Sequence, residues 1–359
     1  MLAVFGGALT VFLVYAFVLW WGWRRAERSG DRPTGDDSPG LSIIVAVRNE
    51  EEDLPALLRA LDRQTHPMHE VVIVDDASTD GTNAIASEWV AERPYATLER
   101  IADPTFPRKK TALARGIEAA EYDLLAFTDA DCRPPPEWAS VLAQTHAGSE
   151  SDLVLVGYSP LEGAGLLGYY SRYETLIEAL YATASIGLGR PYMAVGRNLS
   201  YPRSVFTAVD GYSHSDSSLS GDDDLFVQAV HRRTDASVRA LLDERTFVPS
   251  RAPDSWRAWL QSRRRHVSAG RHYDWTVGIH LTLLHVSLII LWFAPVFLGK
   301  TGIGMLATAL LARHSSLGPA ADRFRETDLL AVFPLWELAY ALYHLLVVPL
   351  GLLWSPDEW

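Results

Sequence analysis

The chain has 359 residues, 48% of them hydrophobic and 21% charged, with a formal net charge of −12. That length does not limit core burial, and the acidic balance argues against non-specific nucleic-acid binding, which needs a basic surface. The single cysteine, Cys132, excludes an internal disulfide framework and fits a reducing compartment.

Apolar residues crowd the two ends, which predicts a soluble domain between membrane segments. Leu2 to Trp23 is an uncharged apolar stretch of membrane-helix length. Arg24, Arg25 and Arg28 follow at once, so the positive-inside rule makes that end cytoplasmic. A cleaved signal peptide is the competing reading. The charges follow the apolar run and no small-x-small site comes after it, so an anchor over residues 1–23 is expected. Residues 24–40 then read as a linker, and their 29–40 part (SGDRPTGDDSPG) lacks apolar periodicity.

Leu41 to Val47 is a β-branched run that predicts a buried strand bounded by Arg48-Asn49-Glu50. The leucines of Leu54 to Leu61 have helical spacing. Val71 to Val74 predicts a second strand ending in Asp75-Asp76, and Gly81 to Trp89 a helix entered through Ser78-Thr79-Asp80. Ala112 to Ala120 predicts a further helix, and Asp123 to Phe127 a third strand running into Thr128-Asp129-Ala130-Asp131-Cys132. Strands alternating with helices imply a largely parallel sheet, in which ligands collect at the carboxyl ends. Each acidic cluster alone is an ordinary turn; three on successive strands predict a binding cleft. There is no GxGxxG or GxxxxGK[ST] loop, so hydride-transfer and P-loop chemistry have no motif support.

Asp129 and Asp131, one residue apart at a strand's end, would point the same way in extended backbone. Two such carboxylates plus phosphate oxygens suit Mg2+ or Mn2+, although a solvated turn produces the same pattern. Gly221-Asp222-Asp223-Asp224-Leu225 leads into a helix whose first turn favours negative charge. It reads either as an acidic N-cap or as the source of a base that takes the acceptor's hydroxyl proton. Crowding of like charges is expected to raise one pKa there. The basic stretch Gln261 to His266 reads either as a membrane flank or as cations, Arg265 with neighbouring Arg264, that neutralise a diphosphate.

Trp275 to Leu298 is long enough to span a membrane, as is Leu329 to Trp354 despite Glu337. Gly302 to Ala312 is apolar but short. A following cytoplasmic loop carrying Arg313, Arg323 and Arg325 favours four spans in all over three. The expected organisation is thus a catalytic domain over 41–273 and a membrane region of two or three helices over 274–359.

Five ordered motifs resemble the bacterial membrane-bound glycosyltransferase family 2. SIIVAVRNEEEDLP is similar to the opening strand, where Asn49 and Glu50 match nucleotide-contacting positions. EVVIVDDASTDGT is similar to the second, where Asp75 and Asp76 match the acidic pair near base and ribose. RKKTALARGIEAAEYDLLAFTDADC places Lys109 at the Lys-x-x-Ala-Leu element and Asp129 and Asp131 at the metal-binding DxD. AVGRNLSYPRSVFTAVDGY resembles the acceptor-side loop, with Asn198 at its polar position. SGDDDLF resembles the general-base motif, with Asp222 at the base position and Asp223 next.

The resemblance implies an α/β GT-A fold, a mixed, mainly parallel sheet with helices on both faces, flanked by transmembrane helices. It also implies an inverting transfer from a UDP- or GDP-sugar to a lipid or glycan acceptor, assisted by Mg2+ or Mn2+. The site would lie on the cytoplasmic face of a bacterial inner membrane, with no nucleic-acid partner. Three departures stand out: Ala46-Val47-Arg48 replaces the Pro before Asn-Glu, Gly221-Asp222 replaces Glu-Asp, and SRRRH replaces Gln-x-x-Arg-Trp. The last favours single-sugar transfer over the alternative of a processive polysaccharide synthase. A catalytically inactive nucleotide-sugar-binding scaffold is the remaining alternative.

Overall fold

The computed structural model describes residues 1–29, 38–103, 106–149, 152–215, 218 and 220–353. Two compact units divide the chain: Ser29–Glu162 with Gly189–Arg251, and Met1–Arg28 with Gly163–Leu188 and Ala252–Asp357. Two stretches interior to 41–273, residues 163–188 and 252–273, therefore group with the terminal helices.

The first unit is built on a sheet of seven strands. In chain order its strands are β1 (Leu41–Val47), β2 (His69–Asp76), β3 (Ala96–Ile101), β4 (Leu124–Phe127), β5 (Leu153–Gly157), β7 (Leu199–Pro202) and β8 (Ser237–Leu241), with β6 (Leu161–Glu162) and β9 (Ser250–Arg251) as a separate short pair. The spatial order is β3-β2-β1-β4-β7-β5-β8. Only β7 runs against its neighbours, β4 and β5; the other pairs are parallel. Its helices are α2 (Leu54–Leu61), α3 (Thr82–Ala91), α4 (Arg108–Ala119), α5 (Trp138–Ala147), α7 (Arg203–Ala208) and α8 (Asp224–Arg233).

β1 is central because it is apolar on both faces: Leu41, Ile43, Ile44 and Val45 have no exposed surface, the pattern of a parallel strand covered on both sides. Each such side chain contributes about 1.5–3 kcal/mol by leaving water. The three predicted strands are therefore adjacent, in the order β2-β1-β4, and their carboxyl ends stand side by side.

The second unit holds α1 (Leu2–Ser29), α6 (Gly165–Gly187), α9 (Trp256–Ala269), α10 (Trp275–Leu298), α11 (Lys300–Arg323) and α12 (Phe333–Leu353). Among the described residues three stretches are long and apolar enough to cross a membrane: Leu2–Ser29, Trp275–Leu298 and Thr327–Leu352. The last residue of the expected span to Trp354 lies outside the described residues. α1 continues past Trp23 through Arg24, Arg25 and Arg28. It crosses α6 at glycines: a Cβ on Gly22 would come within 2.4 Å of the Ala184 carbonyl oxygen, and one on Gly187 within 2.0 Å of that of Gly22. Close helix approach of this kind needs small residues.

Two arginines are not where the sequence placed them. Arg313 and Arg323, expected in a loop with Arg325, lie in α11, and Arg313 is buried. Its Nε is 2.8 Å from Oε1 of Glu337 on α12, and one of its Nη atoms donates to the Tyr181 hydroxyl at 2.9 Å. The Tyr173 hydroxyl donates to Glu337 at 2.6 Å. Two charges separated in sequence thus neutralise each other between helices, which is how a buried charge persists.

Candidate active site

The turns after β1 and β4 and the last two residues of β2 carry the predicted acidic residues. Asn49 sits at φ 54°, a left-handed conformation that Asn tolerates better than most residues. Its side-chain oxygen accepts from Thr79 N at 2.8 Å, and its own N–H donates to Ser78 Oγ at 3.1 Å. The Glu50 N–H donates to Thr82 Oγ1 at 2.7 Å, so the first two turns are tied together. Burial first, then the charges of Asp131, Asp53, Asp129 and Asp80, push the Glu50 carboxyl up to about 7. Glu50 therefore shares its environment with both aspartates of the DxD motif.

Asp75 and Asp76 are the last residues of β2 rather than beyond it. Asp75 is internally engaged: one oxygen accepts from Ser78 N at 3.0 Å and the other from Asn83 Nδ2 at 2.8 Å. Asp76 Oδ2 accepts from Arg108 Nε at 2.9 Å. Its Oδ1 is buried and has no hydrogen-bond partner among the described residues, as is also true of Thr128 Oγ1. Such atoms are costly unless a ligand or water meets them.

The DxD pair is not in extended backbone. β4 stops at Phe127, and a turn closed by Cys132 N donating to Asp129 O at 3.1 Å carries both aspartates. Asp131 is fixed by Ser250 Oγ, which donates to its Oδ2 at 2.7 Å. Ser250, the first residue of the two-residue strand β9, was invisible to sequence reasoning because a lone serine has no signature. Among the described residues no three of His, Cys, Asp and Glu form a complete metal cage. Two carboxylates with open positions nevertheless suit Mg2+ or Mn2+, which usually takes one or two carboxylates plus phosphate oxygens and waters. The clustered charge around Glu50 and the unpartnered Thr128 hydroxyl fit that donor set.

Lys109 joins the two acidic motifs. It lies in the first turn of α4, with Nζ 3.0 Å from Asp129 Oδ1 and 3.2 Å from Asp222 Oδ2. Burial alone would lower the ammonium pKa, but Asp129, Asp222 and Asp223 outweigh it and hold it above the usual value. For Asp222, burial would raise the carboxyl, yet the Lys109 charge and hydrogen bond win and lower it. At Asp222 the Lys109 cation therefore outweighs the crowding of like charges.

The three aspartates after Gly221 have different positions. Gly221 is at φ 88°, a conformation glycine adopts without strain. Asp223 is the N-cap of α8, its Oδ1 accepting from Asp224 N at 2.8 Å and its Oδ2 from Gly196 N at 3.0 Å. Asp224 accepts from Ala194 N at 2.8 Å. These two bind the 194–196 segment, and Asp222 pairs with Lys109. Lys110, next to Lys109, is buried and donates to the carbonyls of Ser215 at 2.7 Å and Ser218 at 3.0 Å. It therefore anchors the loop that leads into Asp222, a role that no motif suggested.

Asn198, expected at the acceptor side, is instead an internal strut. It is 1% exposed. Its amide N donates to the carbonyls of Tyr158 at 2.7 Å and Thr246 at 2.8 Å, and its oxygen accepts from Trp138 Nε1 at 3.0 Å. Both amide hydrogens are thus engaged, leaving none for a ligand. Arg264 and Arg265 lie on α9 in the second unit. The buried arginine of that run is Arg263, whose Nη1 is 2.6 Å from Glu178 Oε1 and whose Nε is 3.5 Å from Glu174 Oε2.

This sheet order, with an acidic cleft at the carboxyl ends of β1, β2 and β4, defines the GT-A class of nucleotide-diphospho-sugar transferase folds. Residues 42–183 match Glycosyl transferase family 2, so the chain carries a domain of that family. It is similar over its whole length to the mannosyltransferase PcManGT from Pyrobaculum calidifontis, solved in complex with GDP-Man and Mn2+. That match covers 99% of both chains at a TM-score of 0.58 and 19% identity, a likeness of fold. Glycosyltransferase AglE of Haloferax volcanii is 36% identical over 118 residues, covering 32% of this chain and 38% of that protein. The dolichol-phosphate mannosyltransferase of Pyrococcus furiosus is 27% identical over 170 residues, covering 47% and 46%. The chain thus spans less than half the length of these curated relatives.

Proposed function

We propose that the chain is an inverting glycosyltransferase that moves a sugar from a UDP- or GDP-sugar to a lipid or glycan acceptor at a membrane. The observation that carries this reading is Lys109, whose ammonium lies within 3.2 Å of carboxylates from both acidic motifs. Asp129, read as the diphosphate side, and Asp222, read as the base, both reach that ammonium, which supports the reading.

Asp222 takes the proton of the acceptor hydroxyl as its oxygen forms a bond to the anomeric carbon. The bond from that carbon to the nucleoside diphosphate breaks, and the diphosphate leaves with the electron pair. Lys109 places positive charge where that negative charge develops. Asp129 and Asp131 would hold Mg2+ or Mn2+, which when bound supplies Lewis-acid neutralisation of the diphosphate. Asp76 and Thr128, each with an unpartnered buried oxygen, are the polar atoms offered to the donor. Asp223 and Asp224 keep the 194–196 segment and the base in register.

Three helices apolar enough to span a membrane favour an acceptor held there. The similarity to a dolichol-phosphate mannosyltransferase supports a lipid phosphate in that role. Arg24, Arg25 and Arg28, directly after the apolar part of α1, favour a cytoplasmic catalytic unit.

The test supplies the purified full chain in lipid nanodiscs with a nucleotide-sugar panel, Mg2+ or Mn2+, and either polyprenyl phosphate or extracted glycolipids. Metal-dependent appearance of labelled sugar in the lipid fraction is expected. Nucleotide-sugar binding without transfer to any acceptor would overturn the enzyme reading in favour of a binding scaffold.

A further inference from the structure

We infer that Arg197 is a substrate-contacting residue, holding the β-phosphate of the departing nucleoside diphosphate on an open edge of its guanidinium. The inference rests on the transfer proposed above and adds a residue to it. No motif singled Arg197 out, and it stands directly before Asn198, the internal strut.

Arg197 sits in the short helical turn Gly196–Asn198 that leads into β7. Its Nε donates to Ser159 Oγ at 2.6 Å and its Nη2 to the Ser159 carbonyl at 3.3 Å. Ser159 has no exposed surface, so the anchor is fixed. These two bonds use one edge of the guanidinium. The edge formed by Nη1 and the second Nη2 hydrogen has no partner among the described residues, and no carboxylate there pairs with the charge. The residue is half-buried. A guanidinium held on one edge and open on the other matches a phosphate, which accepts two parallel N–H bonds. Keeping such a cation half-buried without a counter-ion is costly. A phosphate offsets that cost where a neutral sugar hydroxyl does not.

Arg197 is tied to both acidic motifs. On one side, the Ser159 segment pairs with the segment that fixes the DxD turn. Val248 N donates to Tyr158 O at 3.1 Å and Ser250 N to Pro160 O at 3.0 Å, and Ser250 Oγ holds Asp131. The Arg197 charge is felt at Cys132, next to Asp131: burial, then Asp131 and Asp129, raise that thiol's pKa, and Arg197 opposes them. On the other side, the Gly196 N–H donates to Asp223 at 3.0 Å, and a Cβ on Gly196 would come within 3.2 Å of Asp222 Oδ2. Arg197 is thus placed between the metal end and the base end. In the proposed transfer the group between those ends is the anomeric carbon with its β-phosphate. When that bond breaks, its electron pair goes to the β-phosphate oxygen, and a cation fixed beforehand meets the charge without reorganising.

The experiment uses the full chain in phosphatidylcholine nanodiscs with Mn2+ and compares, by calorimetry, UDP with UMP and GDP with GMP. The monophosphates lack the β-phosphate. Arg197→Gln should weaken diphosphate binding about tenfold, a step of ~1.4 kcal/mol, and leave monophosphate binding unchanged. Arg197→Lys keeps the charge on a compact ammonium and should recover part of that affinity. At saturating donor, kcat of Arg197→Gln should fall on the order of 10²-fold, with KM for the acceptor unchanged. A residue that only braces the Ser159 segment would weaken mono- and diphosphates alike. That result in both variants, or diphosphate binding by Arg197→Gln as tight as in wild type, overturns the inference. Calorimetry needs no turnover. A diphosphate-selective loss in a protein that transfers sugar to no acceptor leaves the Arg197 contact standing and sinks the enzymatic reading; transfer by Arg197→Gln with wild-type rate and diphosphate affinity does the reverse.

Discussion

Lys109 Nζ stands 3.2 Å from Asp222 Oδ2, joining the start of α4 to the loop before α8. The same ammonium reaches Asp129, so one cation bridges the two acidic motifs. Lys109→Met leaves both carboxylates facing each other without compensation, and turnover should fall on the order of 10²-fold or more. Lys109→Arg keeps the charge with a different shape and should restore part of it. Steady-state rates at saturating donor check this; a Lys109→Met enzyme within twofold of the parent contradicts it.

Asp222 and Asp223 should separate cleanly by substitution. Asp222→Asn removes the proposed base, and a loss of about 10²–10⁴ in kcat is expected, with nucleotide binding by calorimetry unchanged. Asp223→Ala removes the α8 cap and the tether to Gly196. Its main effect should be on stability, about 0.5–2 kcal/mol, seen as a lower unfolding midpoint.

The stability of the sheet unit should depend on pH through His146. Its ring nitrogen lies 2.9 Å from Ser200 Oγ, and burial pushes its pKa from 6.5 down to about 3. The unfolded chain therefore binds this proton more readily than the folded one between those values. Stability is fully present above about 6.5 and declines as pH falls toward 3, by at most ~1.4 kcal/mol per pH unit and less where water reaches the ring. His146→Gln should flatten the slope of unfolding midpoint against pH in that window. An unchanged slope would assign the acid sensitivity to other groups.

Arg313 and Glu337 should behave as a unit. Glu337→Gln strands the buried guanidinium and should destabilise by about 3–5 kcal/mol. The double substitution Arg313→Met with Glu337→Leu removes both charges and should recover most of that loss. Thermal unfolding of wild type, Arg313→Met, Glu337→Leu and the double variant in one detergent gives the cycle; additive losses would show that the pair is not coupled.

The sequence carried the part of this architecture that repeats. β1, β2 and β4 were legible because each is a short apolar run stopping at polar residues, and the leucine spacing of α2 was equally plain. β3 was not, because its exposed edge mixes Thr97, Glu99 and Arg100 with apolar positions and lacks a continuous run. The end of β4 at Phe127 was legible too, but not the turn that carries Asp129 and Asp131, which closes through Cys132 N on Asp129 O. Asn198 was read as a ligand contact because its role depends on Trp138, Tyr158 and Thr246, all distant in sequence. The same holds for Lys110 and Ser250, whose partners come from other segments. Arg313 and Glu337 each looked anomalous alone, and only tertiary packing shows that they cancel.

The central claim is that Asp129 and Asp131 hold the metal and diphosphate end of a sugar transfer. The most direct measurement is transfer to the lipid fraction by wild type and Asp131→Ala, each with Mn2+ and after removal of metal by chelation. The account predicts transfer by the metal-loaded wild type alone, with Asp131→Ala still folded by its thermal midpoint. Metal-dependent transfer by Asp131→Ala at the wild-type rate would contradict it.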